Sequence, residues 1–404
     1  MQREIAKHGA TIADGGWNFI ASPLVTDYEP TASNELLGNP YTYDLYYYDE
    51  TAHYWRNFQD DIANVGQEMN QDPGFKLNNG QGYLYANEVD ATIRFNGTVT
   101  PSARPIATSL SYTEYINESA NVLAGWNLVG NPFTCDATIG QSYYRIGDGA
   151  NTVACLDDEN IKPCEGVMVV ANNSNQNVTF TRVTSSSGGG RTNCLRVNVA
   201  HTMMHRGNTK SMVEDNAIIS FYEKDRLPKF VFNADVAKLY IPQDGKEYAI
   251  AVSDWQNEMP LNFKAAANGN YTISVIPDGL NLKYLHLIDN MTGDDTDLLA
   301  NPSYSFDAKV SDYESRFRLV FDTDDNDDNA STETTTFAYY NGSEWVIDNT
   351  GEAILQVVDV MGRVLRNEQI DGNAHIDLGS LTPAVYMMRL VNGENVKTQK
   401  IVVK

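Results

Sequence analysis

The chain has 404 residues, length enough for roughly two to four domains with real hydrophobic cores, and this excludes disorder throughout. Lysine and arginine number 29 against 53 aspartates and glutamates, a net charge of −24. That balance opposes any phosphate-backbone partner, because binding there works by cations releasing counterions, so no nucleic acid is expected. Apolar runs such as Val167-Met168-Val169-Val170-Ala171 stay far below the roughly 18 residues a spanning helix needs, so no transmembrane segment is expected.

The start, Met1 to Gly9, lacks the apolar core of a secretory signal, which leaves a cytoplasmic protein or a lost N-terminus as the two readings. Short runs rich in Tyr, Val, Ile and Phe then recur between Gly, Asn, Asp and Pro clusters, without any long 3.6-residue periodicity, and this pattern predicts an all-β chain. Gly16-Trp17-Asn18-Phe19-Ile20-Ala21-Ser22-Pro23-Leu24 returns as Gly125-Trp126-Asn127-Leu128-Val129-Gly130-Asn131-Pro132-Phe133. Asn79 to Asn87 likewise matches Pro163 to Ala171, and Thr92 to Phe95 matches Asn177 to Phe180. Two copies of one β module are expected, over residues 1–105 and 106–184. The first carries an insertion, and insertions sit in loops.

A Gly/Ser stretch at 185–191 reads as a linker, and a third sandwich-like module is expected over 192–321. Within it, Ala217 to Tyr222, Tyr271 to Val275 and Arg316 to Phe321 alternate with period 2, as half-buried strands with one wet face do. Residues 322–336, acidic and then Thr-rich, repel themselves and bury nothing, so they read as a second linker before a short last module, 337–404.

Chemistry-bearing patterns are few. His201-Thr202-Met203-Met204-His205 has the spacing of a zinc pair but lacks the helix and the neighbouring Glu, so surface or loop histidines are expected. Asp322, Asp324, Asn326, Asp328 and Glu333 fall at calcium-loop positions, but Asp327 stands where the sharp turn needs Gly. Cys135, Cys155, Cys164 and Cys194 are expected as packed residues, or at most one or two bridges. Aligning Leu45 to Tyr48 with Tyr143 to Ile146, and Tyr54-Trp55 with Thr152-Val153, leaves Tyr47, Tyr54 and Trp55 as unshared aromatics. These three are the candidates for stacking on sugar rings, whereas Trp17 and Trp126, present in both copies, are expected in cores. No nucleophile elbow, phosphate loop or dinucleotide fingerprint is present, so neither an enzyme nor a cofactor is expected. A hydrolase would need two carboxylates in one cleft.

The last module is the most specific part. Leu355 to Leu365 reads as strand, Gly-containing turn and strand, and Leu381 to Leu390 with Lys397 to Lys404 reads as a closing hairpin. Asp359, Gly362 and Arg363 in one turn, Pro383, Val385 and Tyr386, then Arg389, and a Lys-bearing final strand with Lys400 and Lys404 strongly resemble the type A C-terminal sorting domain of the Bacteroidetes type IX secretion system. Ala384 departs from that pattern, where Gly is usual. The upstream Gly-Trp-Asn-Leu-x-x-Asn-Pro modules resemble regions that precede such domains in large surface proteins.

The resemblance implies tandem β-sandwich-like modules ending in a small Ig-like sandwich that serves as a secretion address. Its partners would be the outer-membrane translocon and a sortase-like peptidase that cuts before the signal, with release or attachment to anionic surface polysaccharide. The mature location would be secreted or on the outer-membrane surface, and the absent signal peptide would then mean truncation. The expectation is therefore a non-enzymatic region of an exported protein with structural modules. An adhesin or glycan-binding role is the alternative, and a β-sandwich hydrolase fragment is the second.

Overall fold

The computed structural model describes residues 1–9, 15–30, 43–58, 75–101, 103–113, 124–147, 151–184, 193–205, 208–221, 226–253, 258–323, 337–341, 344–347, 349–359, 363–392 and 395–403. These residues are all β, without a helix, and fall into two compact units, Met1–Asp325 and Asn326–Lys404.

The first unit opens with two four-stranded antiparallel sheets built on one plan. In the first the order is Asn18–Ala21, Gly82–Asn87, Tyr43–Asp49, Tyr54–Asn57; in the second it is Trp126–Gly130, Gly166–Val170, Tyr143–Ile146, Thr152–Cys155. The registers correspond residue by residue: Phe19 faces Leu84 as Leu128 faces Met168, and Tyr46 faces Leu84 as Tyr144 faces Met168. The Gly-Trp-Asn start has a local cause in both. Gly16 and Gly125 take positive φ (111° and 77°), and the amides of Asn18 and Asn127 fold back to donate to those glycines' carbonyls at 2.9 Å.

A smaller sheet backs each large one: Gln2–Ile5 with Ala91–Arg94, and Ile106–Ser109 with Asn177–Arg182 and Ala137–Thr138. Leu45, Tyr83, Tyr85 and Ile93 fill the first interior; Phe133, Tyr143, Val167 and Phe180 fill the second.

The two sheets meet through a nearly reciprocal contact. Ile20 bridges Glu165 and Val129 bridges Gln81; the Ala21 N–H donates to the Cys164 carbonyl at 3.0 Å and the Gly130 N–H to the Gly80 carbonyl at 2.9 Å. Gly80 and Cys164 occupy equivalent turns, both left-handed (φ 81° and 60°), a conformation that costs a side-chain-bearing residue about 1–2 kcal/mol. Gly130 is required by proximity: a Cβ there would lie 2.4 Å from the Gln81 carbonyl oxygen and 2.5 Å from the Ala21 Cβ.

The rest of the first unit is an eleven-stranded sheet around the long hairpin Cys194–His205 and Asn208–Ser220. It folds over so that Val197, Ile219 and Tyr271 share a core with Leu287, Phe317 and Phe321. Tyr271 to Val275 alternates as its sequence predicts. Arg316 to Phe321 does so only from Phe317 on, because Arg316, expected on the wet face, is buried against Asp289. Ala217 to Ser220 does not: every residue is buried, because Ala217 and Ile219 join that core while Ile218 points into a second one. The second core gathers Phe19 and Leu84, Trp126 and Tyr144, and Ile218, Phe230 and Ile250, so all three upstream segments contribute to it. Residues on both sides of 105/106 and of 185–191 thus share one buried cluster. The segment expected as a Gly/Ser linker, 185–191, lies outside the described residues. At the far end the strand Phe317–Thr323 continues past Phe321 into what composition assigned to the acidic linker.

In the second unit, the sheet Ala338–Tyr340, Trp345–Ile347, Ala374–Ile376 packs on the sheet Val364–Asp371, Glu352–Asp359, Ala384–Asn392, Asn395–Val403. Ile347, Leu355, Val357, Tyr386, Met388 and Ile401 lie between them.

Candidate functional site

In the second unit, Asp359 and Arg363 close the turn between the first two strands of the larger sheet. The Asp359 N–H donates to the Arg363 carbonyl at 3.0 Å, and its carboxylate accepts the Arg363 backbone N–H at 2.9 Å and Nε at 2.7 Å. The carboxylate is mostly covered and the guanidinium 70% exposed, so this ion pair shapes the turn and leaves a cation on the surface. Gly362 lies outside the described residues. The Pro383-to-Tyr386 element anchors the hairpin start: Tyr386 is buried, and its hydroxyl donates to the Thr382 carbonyl at 2.8 Å. Pro383 is exposed, Val385 half-buried, and Arg389 points outward between Gln356 and Thr398, opposite the buried Met388 and Leu390. Lys400 pairs with Met387 in the hairpin, with its side chain outside the description, as is Lys404.

Gln399 escaped the sequence reading. Its side-chain oxygen accepts the Ala338 N–H at 2.9 Å, and its amide donates back to the Ala338 carbonyl, so one side chain joins the two sheets. The available signal was a polar residue in period-2 register with Ile401 and Val403. Charge also separates this region from the rest, with six Lys/Arg against eight Asp/Glu in 342–404, so nearly all the negative charge lies upstream.

The three aromatic candidates do not form one surface. Tyr47 packs into the first interior against Phe75 at 5.3 Å. Trp55 lies on the opposite face, against Tyr48 at 5.3 Å and Phe232 at 6.2 Å, half-buried in the shared core. Tyr54 is 42% exposed, with the Arg56 guanidinium 4.6 Å above its ring. The internal alignment also shifts by one: Tyr48 pairs with Trp55, and Ile146 pairs with Thr152, so Trp55 corresponds to Thr152 and not Val153. A one-residue slip exchanges faces, which places Trp55 on the covered side. Trp126 is buried as expected of a core residue, but Trp17 is only half-buried.

His201 corrects the expectation of surface or loop histidines. It sits in a strand with 11% side-chain exposure, stacks on Tyr271 at 4.3 Å, and meets Glu214 through Nδ1 at 3.0 Å. His205 ends the same strand, with its side chain outside the description. Glu214 is the extra residue where the hairpin register shifts, between partners of Val199 and Ala200, so Glu214 and Asp215 both turn inward. Their carboxylates accept the N–H groups of Ala237 and Leu239, at 2.8 and 2.6 Å, and so replace ladder partners for the incoming strand. Asp215 also binds the buried Lys229 ammonium at 2.6 Å. Arg316 and Asp289 form a second buried pair at 2.8 Å. Burial raises the Asp289 carboxyl, but the Arg316 and Met291 hydrogen bonds outweigh it and hold the group below the ordinary carboxylate range.

All four cysteines are free thiols, three of them buried, so no bridge forms. Burial pushes the Cys164 and Cys194 thiols up to about 11, away from reactivity. No group of three or more His, Cys, Asp or Glu that could hold a metal occurs among the described residues. The calcium-like positions Asp324, Asn326, Asp327, Asp328 and Glu333 lie outside them. No helix among the described residues is long and apolar enough to cross a membrane.

Residues 342–404 match the family described as secretion system C-terminal sorting domain. Neither curated proteins nor solved structures include a significant match to the chain. The matched segment coincides with the second unit except for its first strand, and it carries the Asp359 turn and the Tyr386 hairpin just described. A sorting domain of this kind at 342–404 indicates a type IX secretion substrate, exported to the cell surface or the medium.

Proposed function

We propose that this is a non-enzymatic surface or secreted protein whose last domain is its type IX address and whose upstream β modules are structural. The observation that carries the reading is the sorting-domain match over 342–404. A folded recognition unit also fits the geometry: a two-sheet sandwich with its own core offers the translocon a shaped surface, with Arg363 and Arg389 as exposed cations. A sortase-like peptidase would then cut upstream of Phe337, and attachment to anionic polysaccharide would follow on the cell.

The structural role of the modules is supported by how their polar groups are used. Glu50, 3% exposed, accepts the N–H groups of Thr113 and Gly125 at 2.8 and 2.9 Å; the Asn131 amide donates to the Cys135, Ile161 and Lys162 carbonyls. Such groups hold loops and leave little chemistry free. We take the two four-stranded sheets as copies of one module, on their common strand order and register.

The test is export from a type IX-competent cell of the chain placed behind a signal peptide. Removal of 337–404 is expected to leave the protein in the periplasm, and surface display of the shortened form would overturn the reading. Mass spectrometry of surface material is expected to find the upstream modules without the peptide from Ile401 onward.

A further inference from the structure

The pair Lys229 and Asp215 lies buried beside the shared core, in contact through both carboxylate oxygens. The Lys229 Nζ lies 2.6 Å from each carboxylate oxygen of Asp215, and the two side chains are only 2% and 7% exposed. Equal approach to both oxygens places the nitrogen within about 3 Å of Cγ, close enough for the two atoms to react once the amine turns above the carboxyl plane. We propose that Lys229 and Asp215 condense into an intramolecular isopeptide bond.

The surroundings supply what the step requires. The Leu239 N–H donates to Oδ2 at 2.6 Å and the Asn216 N–H to Oδ1 at 2.8 Å, so the carboxyl plane is fixed and a donor already sits on the oxygen that becomes the tetrahedral oxyanion. Burial pushes the Asp215 carboxyl up and the Lys229 amine down, against their mutual attraction, which brings carboxylic acid and free amine within reach of each other. Beside them lies a cavity of about 20 Å³, lined by Glu214, Phe230 and Ala237 as well as the pair, with room for one water.

The atoms balance without any further reagent. One ammonium proton passes to Oδ1, the amine lone pair attacks Cγ, and the tetrahedral centre collapses as the C–Oδ1 bond breaks. A second nitrogen proton leaves with Oδ1 as water, and the third remains on the amide. Nothing is oxidised or reduced. The product ties the strand Asn208–Ser220 covalently to the segment that enters the shared core at Leu227–Pro228 and Phe230. In an exported protein that link would do what disulfides do elsewhere, while the four cysteines stay as free thiols.

The experiment is the intact mass of the denatured full chain, followed by peptide mapping. The wild type is expected about 18 Da lighter than its sequence, one water lost, with a branched peptide that joins Asp215 to Lys229. Lys229→Arg keeps the charge but cannot condense to a stable amide here, and is expected at the full mass of its own sequence. Wild-type protein at full sequence mass, with Asp215 and Lys229 recovered in separate unmodified peptides, would overturn the proposal. A loss of water mapped to another site, and retained in Lys229→Arg, would overturn it equally.

Discussion

The sheet that begins at Asn18 and the one that begins at Trp126 share strand order, register and the folded-back asparagine, yet they treat the same tryptophan differently. Trp126 is 4% exposed, with its ring tilted against Phe230 at 4.9 Å and Tyr144 at 5.8 Å. Trp17 meets His8 at 5.6 Å and Tyr46 at 6.2 Å and stays half-exposed. Their outer strands differ in the same way. The peptide of Ala154 is held on both sides by the Asn216 amide, at 2.8 and 3.0 Å, so the edge of the second sheet is continued by a side chain from the eleven-stranded sheet. The short motif therefore fixes the backbone of each sheet, and the neighbour packed on it decides which side chains become core.

The comparison is sharpened most by removing the two tryptophans. Trp126→Ala is expected to cost about 3–5 kcal/mol, the usual penalty for truncating a fully buried aromatic. Trp17→Ala is expected to cost about half as much, because less apolar area is lost. Denaturant midpoints of the two variants check this, and equal losses would mean that the two positions are buried alike in solution.

Glu50→Ala comes next. It strands the buried N–H group of Gly125 and the partly buried one of Thr113, which belong to the second sheet's entry, and a loss of about 2–3 kcal/mol is expected. Amide exchange should show its effect at Gly125 and not at Gly16.

The reciprocal contact can be broken at Gly130. Gly130→Ala brings a Cβ against the Gln81 carbonyl and Ala21, with an expected cost of about 1–3 kcal/mol. Ala21→Gly in the same molecule removes one of the two clashes and should recover part of the loss. A double-mutant cycle with no coupling would show that the sheets do not meet there.

The smallest effect concerns the asparagines. Asn127 exchanges bonds with Ser111 at 2.8 Å in both directions besides its bond to Gly125, whereas Asn18 has the Gly16 bond alone among those described. Asn127→Ala is expected to cost about 1 kcal/mol more than Asn18→Ala, at about 0.5–1.5 kcal/mol per hydrogen bond.

The amino-acid sequence by itself determined the all-β class, the Gly-Trp-Asn turns and the sorting hairpin. These depend on residues close in the chain: glycines at positive φ, an amide that reaches back two residues, and a tyrosine hydroxyl that meets a carbonyl four residues earlier. Alternation read the strands correctly wherever one face meets water, as at Tyr271 to Val275. It failed at Ala217 to Ser220 because a second layer covers the expected wet face, and period 2 carries no information about what arrives from elsewhere in the chain. The same cause misplaced Trp55, whose face depends on pairing with Tyr48, and His201, whose partners Glu214 and Tyr271 come from two other strands. Only the tertiary structure decided that Lys229 meets Asp215, since a loop from one strand edge must close over a bulge in another before the charges touch.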